Sequence, residues 1–151
     1  MISIGQGVVD WVAKKTNEFG NFGGAQGIGW LKRGELVAGV AYGDWNGVNV
    51  VAHIASDGSK RWLTREYLAV IFDYPFKQLK VNRITCMIGG NNHDSRRLCE
   101  HLGFELETTL KGAHPSGDLL VYRLWRQDCR YLREPYVSYI KTRTAVVRAA
   151  A

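Results

Sequence analysis

The spacing of apolar positions changes period several times along the chain, and each change marks an element. Val8, Val9, Trp11 and Val12 fall at helical intervals with Lys14 and Lys15 late, which predicts a short amphipathic helix over Gly7–Asn17. The glycine-rich stretch Gly20–Gly27 then reads as a loop entering a strand centred on Ile28–Leu31. A polar turn, Lys32-Arg33-Gly34, separates that strand from Glu35–Tyr42. A second turn, Asp44-Trp45-Asn46-Gly47, carries the Asn-Gly pair of a tight hairpin and leads into a strand over Val48–Ala55. The first third is therefore an antiparallel meander.

The period then switches to helical. Leu63, Tyr67, Val70, Ile71 and Tyr74 form one stripe, which predicts a helix over Ser59–Leu79 that Pro75 bends or ends. Arg83–Ile88 is a strand closed by Gly89-Gly90. A helix follows, with Asn92 or Asp94 as its cap, Leu98, Leu102 and Phe104 near one face, and Gly103 as its stop. Glu105–Leu110 and Leu119–Trp125 are two last strands around a Gly112–Gly117 loop. The order is helix, three strands, helix, strand, helix, two strands, an α+β layout around one mixed sheet.

Composition adds bounds. A chain of 151 residues, 46% hydrophobic and 23% charged, predicts one domain with a core of its own, and excludes a disordered chain, a coiled coil and a collagen repeat. No apolar run approaches the roughly 18 residues of a membrane helix, and the start lacks the basic and apolar regions of a secretory signal. The expectation is a cytoplasmic protein without a membrane partner. Cys86, Cys99 and Cys129 show no CxxC spacing, and the four histidines no HExxH spacing, so no metal is expected.

Charge is uneven. Of the net +6, residues 123–151 carry five: seven Arg/Lys against Asp128 and Glu134. That basic segment, with Trp125, Tyr131, Tyr136 and Tyr139 among its cations, has the composition to stack bases and hold phosphates. The plainer reading, packing onto the domain or a partner copy, is favoured. Tyr136–Ile140 alternates like a strand that could pair with a second copy, which suggests a homodimer.

Three places carry candidate chemistry. The first is the strand–loop–helix junction His53–Trp62, where Gly58, Ser59, Lys60 and Arg61 precede a helix. Free amides, the helix dipole and two cations suit an anion such as phosphate, although the same residues also make an ordinary polar turn. The second is the capped amphipathic helix after Asn92. The third is the set of proton carriers. His53 titrates near neutrality at the end of a central strand; Cys99 lies on a helix, where buried cysteine is usually inert; Tyr122 falls at a core position.

Together these segments resemble the GNAT superfamily of acyl-CoA-dependent N-acetyltransferases. The resemblance runs to about Tyr131 and is carried chiefly by residues 48–126. Its most specific part is Asn92-x-x-Ser95-x-x-Leu98-x-Glu100-x-Leu102-Gly103-Phe104-x-x-Glu107. More narrowly, Trp62–Glu66 and Phe72–Phe76 are similar to short GNAT-like proteins of bacteriophages. The resemblance implies a domain over residues 1–131 with a basic extension over 132–151, and a mostly antiparallel sheet, flanked by helices, whose central strands splay apart to admit acetyl-CoA. It places the pantetheine arm on His53, Ile54 and Ala55, and the pyrophosphate on Gly58, Ser59, Lys60, Arg61, Trp62 and Leu63. Asn92 and Ser95 match positions that touch the coenzyme.

The implied reaction is acetyl transfer to a primary amine, on a small molecule or a protein N-terminus. His53 is the expected base, with Asp44 behind it, and Cys99 stands where the family often has a tyrosine acid. Two departures accompany this. The family's phosphate loop has a basic or amide residue and two small residues where this chain has Asp57, Lys60 and Trp62, and the tyrosine is replaced by Cys99. A catalytically inactive binding module and a protein acting on nucleic acid are the alternatives.

Overall fold

The computed structural model describes residues 1–16 and 22–140. Its strands are β1 (Ile2–Ile4), β2 (Gln26–Lys32), β3 (Glu35–Gly43), β4 (Asn49–Ser56), β5 (Arg83–Gly89), β6 (Glu105–His114) and β7 (Gly117–Trp125). The helices are α1 (Gln6–Thr16), α2 (Arg65–Asp73) and α3 (His93–Leu102). The strands form one sheet in the order β1-β2-β3-β4-β5-β7-β6, antiparallel everywhere except between β4 and β5. This is the mixed, mostly antiparallel sheet flanked by helices that the sequence implies.

Helix α1 covers one face through Val8, Val9 and Val12. It lies close because β3 carries glycine beneath it: a Cβ on Gly39 would sit 2.8 Å from Val12 Cγ2 and 3.1 Å from Val8 Cγ1. Helices α2 and α3 cover the opposite face. Residues Tyr67–Phe72 of α2 and Cys99 and Leu102 of α3 are buried there against Val50, Ile84, Cys86, Tyr122 and Leu124. Tyr67 also donates its hydroxyl to the Ile28 carbonyl at 2.8 Å, satisfying a polar group that burial would otherwise penalise.

Several boundaries differ from the sequence reading. β1 was not foreseen; its three residues pair with β2, and Leu31 N–H donates to the Met1 carbonyl. Helix α2 starts at Arg65 rather than Ser59, because Thr64 caps it by accepting the Tyr67 N–H. Pro75 does not break the run but widens it into a π-turn, Tyr74–Gln78, in which Leu79 N–H reaches the Tyr74 carbonyl. The expected Gly112–Gly117 loop is mostly strand, since His114 already pairs with Gly117 across a two-residue turn. The Asp118 carboxylate holds the left-handed Gly112 by accepting its N–H at 3.0 Å.

The segment after β7 makes two 3-10 turns, Arg126–Asp128 and Arg130–Leu132. Tyr131 stacks on Phe72 at 4.6 Å, and Tyr136 meets Tyr131 edge-on at 5.0 Å. Leu132, Tyr136 and Ile140 pack against the main core. The alternation at Tyr136–Ile140 is not a strand: residues 137–140 are helical, and the Tyr136 and Val137 N–H groups both bond to the Arg133 carbonyl. The rest of the basic segment, residues 141–151, lies outside the described residues. Among the described residues no helix is long and apolar enough to cross a membrane.

Candidate active site

The sheet opens at its centre. β4 and β5 share only three rungs, Asn49↔Arg83, Val50↔Ile84 and Val51↔Thr85. Below the opening, Thr85 Oγ1 donates to Asn49 Oδ1 at 2.7 Å and ties the two strands together. Above it each strand keeps only its outer neighbour: β4 stays with β3 as far as Ser56, and β5 stays with β7 as far as Gly89.

The phase of the β3–β4 ladder decides which backbone groups face the gap. Asp57 N–H donates to the Val37 carbonyl at 2.9 Å. Hydrogen-bonded pairs alternate in an antiparallel ladder, so Ala55 and His53 turn their N–H and C=O toward β3. Those of Ile54 and Ser56 point into the gap, with no strand on that side.

The gap is the mouth of a cleft of about 910 Å³. Cys86, Leu98 and Cys99 line it on the α2–α3 face; Lys15, Thr16, His53 and Met87 line it on the α1 face. Most site residues expected from the sequence meet here: His53, Ile54, Ala55, Gly58, Ser59, Lys60, Trp62, Leu63, Asn92, Ser95 and Cys99 all line the cleft. Asn92 also caps α3, its Oδ1 accepting the Ser95 N–H at 3.2 Å.

Arg61 does not line the cleft. Its guanidinium Nη2 lies 2.6 Å from Asp57 Oδ2. Asp57 Oδ1 further accepts the Ser59 N–H at 2.9 Å and the Ser59 hydroxyl at 2.6 Å. These bonds, led by those from Ser59, lower the Asp57 carboxyl to about 2. The carboxylate thus occupies donors of the very loop that the sequence assigns to an anion. Trp62, where the family has a small residue, is only 2% exposed and packs edge-on against Tyr67, so its bulk lies in the core.

His53 is half-buried, with the Phe22 ring 4.6 Å away. Burial pushes its pKa down from the usual value, and the negative charge of Asp44 opposes that shift. Asp44 itself sits in the β3–β4 turn, exposed and outside the cleft lining, with a left-handed φ of 53°. Cys99 is buried on α3, and its thiol together with burial raises the Cys86 pKa well above the usual thiol value.

The sequence reading missed Cys86, Met87, Leu98, Lys15 and Thr16 as cleft residues. Cys86 and Met87 read only as strand positions, because nothing local shows where β5 leaves β4. Of the aromatic residues proposed for stacking bases, Tyr131 is in the core, Tyr136 packs on it, and Trp125 carries the Arg83 guanidinium over its ring at 5.4 Å, while Tyr139 is exposed. Among the described residues no group of three or more His, Cys, Asp or Glu gathers as a metal site.

No protein-family model and no curated protein sequence matches the chain. Solved structures do match in shape. A spermidine/spermine N-acetyltransferase of Vibrio cholerae, in mutant form, superposes with a TM-score of 0.67 at 13% identity, over 91% of this chain and 97% of that one. A GNAT-family acetyltransferase of Bacillus anthracis gives 0.56 at 17% identity, over 68% of this chain and 66% of that one. The ribosomal-protein-S5-alanine acetyltransferase of Vibrio fischeri gives 0.57 at 17% identity, over 70% and 64%. The chain thus spans just under two thirds of the length of these last two enzymes. At such identities the likeness is one of fold, and the fold is that of GNAT acetyltransferases.

Proposed function

We propose that the protein is an N-acetyltransferase that passes the acetyl group of acetyl-CoA to a primary amine. The observation that carries this reading is the unpaired backbone of Ile54 and Ser56 facing the cleft where β4 leaves β5. An exposed strand edge inside a sheet is costly unless something pairs with it. The amide-bearing arm of coenzyme A has the donors and acceptors to do so. The cleft volume and the exposed Lys60 at its loop end also suit the coenzyme and its phosphates. The neighbouring acetyltransferase folds support the same chemistry.

When bound, acetyl-CoA supplies a thioester carbonyl open to attack by an amine. The remaining work belongs to this chain. Ile54 and Ser56 hold the arm, Lys60, Gly58, Ser59 and Leu63 hold the phosphate end, and Asn92 and Ser95 flank it from α3. His53, its pKa lowered, is neutral at pH 7 and able to take a proton from an incoming ammonium on the α1 face. Asp44 stabilises the imidazolium that results. Cys99, which lines the cleft, returns a proton to the departing thiolate.

Asp57 favours one other reading, a binding module without turnover, because it occupies loop donors that phosphate would need. Release of free thiol from acetyl-CoA, measured across a panel of primary amines, separates the two. Amine-dependent release that His53→Gln abolishes supports the enzyme; coenzyme binding without release with any amine supports the module.

A further inference from the structure

The turn between β6 and β7 is fixed to the end of β5. The His114 ring lies against Gly89, the last β5 residue: a Cβ there would stand 2.8 Å from the ring's Cε1 and 3.1 Å from both its nitrogens, so only glycine leaves the ring its place. Ser116 N–H donates to His114 Nδ1 at 3.1 Å, and Ser116 Oγ donates to Asn91 Oδ1 at 3.0 Å. Because Nδ1 accepts a backbone N–H, the neutral ring carries its proton on Nε2. That Nε2–H has no partner among the described residues.

The ring stands on the His53 side of the sheet. Met87 and Gly89 alternate with Cys86 and Ile88 along β5, so they turn to the α1 face with His53. Continued past Val51↔Thr85, the β4–β5 register sets His53 level with Met87 and two residues short of Gly89. At about 3.3 Å per residue along a strand and about 5 Å or more between strands, His53 and Gly89 are on the order of 10 Å apart. Two or three extended residues span that distance. An apolar strip runs outward from there. Met87 pairs with Val121, and Gly89 pairs with Leu119, which pairs in turn with Leu110. Met87, Val121 and Leu119 are half-buried and Leu110 is 44% exposed. Helix α1 packs on β1 to β4, beside this strip.

We propose that His114 binds the acceptor, and that the acceptor is the N-terminus of a polypeptide. Its α-amine stands at His53, a carbonyl among its first peptide bonds accepts the His114 Nε2–H, and the side chains that follow lie along Met87, Val121, Leu119 and Leu110. This deepens the acetyltransferase reading above and rests on it. Charge favours a single amine over a polyamine. Asp94 is the one carboxylate among the described residues lining the cleft, and Arg97 Nη2 holds it at 2.5 Å. On the α1 face the charged lining residue is Lys15, so a second ammonium would meet a like charge. The lowered pKa of His53 also suits a weakly basic amine: an α-amino group titrates at about 8, a lysine-type ammonium at about 10.

Thiol release from acetyl-CoA by the full chain reads the outcome with three acceptors: a tripeptide amide with a free N-terminus and an apolar second residue, hexylamine, which has no carbonyl, and spermidine. The wild type should prefer the tripeptide to both others in kcat/KM. His114→Phe keeps a ring over Gly89 and has no donor. It should raise the tripeptide KM by about three- to tenfold, the scale of one hydrogen bond, with kcat held. The hexylamine KM, and acetyl-CoA binding by calorimetry, should not move. His114→Gln, which keeps an N–H donor, should recover much of the tripeptide KM. An equal rise for tripeptide and hexylamine would mean that His114 only holds the turn, and overturns the inference, as does a wild type that prefers spermidine or hexylamine. If His114→Phe does not fold, the wild type's ranking of the three acceptors decides. Thiol release with none of a panel of primary amines overturns the inference together with the acetyltransferase reading.

Discussion

Arg61 is held by Asp57 at 2.6 Å, turned out of the cleft that its neighbour Lys60 lines. One carboxylate therefore takes a guanidinium, a backbone N–H and a hydroxyl from a loop whose position suits phosphate. A phosphate group arriving there competes with Asp57 for the same donors.

Removing that competitor should strengthen coenzyme binding. Asp57→Asn leaves the side chain's size but not its charge, and the gain should be about fivefold, the scale of one redirected charge-assisted contact at an exposed site. Calorimetry at neutral pH measures it. The same variant has a pH signature. The folded-state pKa of Asp57, about 2, lies below the ordinary carboxyl value of 3.8, so the wild type gains stability from this group above pH 4 and loses it as pH falls toward 2. Chemical denaturation between pH 4 and 2 should show a shallower loss for Asp57→Asn than for the wild type.

His53 shifts in the direction opposite to a paired histidine. Its folded pKa is lowered from 6.5, so the unfolded chain binds the proton more readily, and stability declines as pH drops below 6.5. His53→Gln should flatten that limb of the stability profile. It should also lower kcat/KM by about a hundredfold or more, as loss of a general base does. A rate profile whose wild-type acid limb below pH 6.5 disappears in the variant checks the second, and chemical denaturation across the same pH range checks the first.

Asn92 has a structural task beside any contact with coenzyme. Its side chain caps α3, and losing such a cap costs about 1 kcal/mol. Asn92→Ala should lower Tm by about 2–4 °C, the usual response of a domain this size. Asn92→Asp keeps an acceptor for the Ser95 N–H and should hold the wild-type Tm. If Asn92→Asp nonetheless binds coenzyme poorly, the lost amide or the added negative charge is the cause, and not the cap.

Much of the fold could be read from local chemistry. Asn46-Gly47 turns the chain between β3 and β4, Lys32-Arg33-Gly34 turns it between β2 and β3, and Gly103, with φ 106°, ends α3. Errors came where side chains compete with the helical pattern. The stripe through Leu63 extends α2 too far back, because Asp57, Ser59 and Arg61 bond to one another and hold the loop open. The alternation of Tyr136 and Ile140 reports packing against the Tyr131 side of the core, not a strand.

The site divides in the same way. His53, Lys60 and the Asn92 helix stand out by residue type, spacing and family pattern. The place of Cys86 in the cleft does not, since it depends on where β5 parts from β4. That parting is a long-range property: three rungs form, a bond from Thr85 in the last to Asn49 in the first clasps them, and both strands then follow their outer neighbours. No short window of sequence contains it.

The central claim is that the open edge of β4 and the loop after it bind coenzyme A. Isothermal titration of acetyl-CoA into the wild type, with Lys60→Glu and Asn92→Ala alongside, tests it most directly. The account predicts micromolar binding to the wild type, weakened by both substitutions. No binding at millimolar acetyl-CoA would contradict it and leave the gap between β4 and β5 without its proposed occupant.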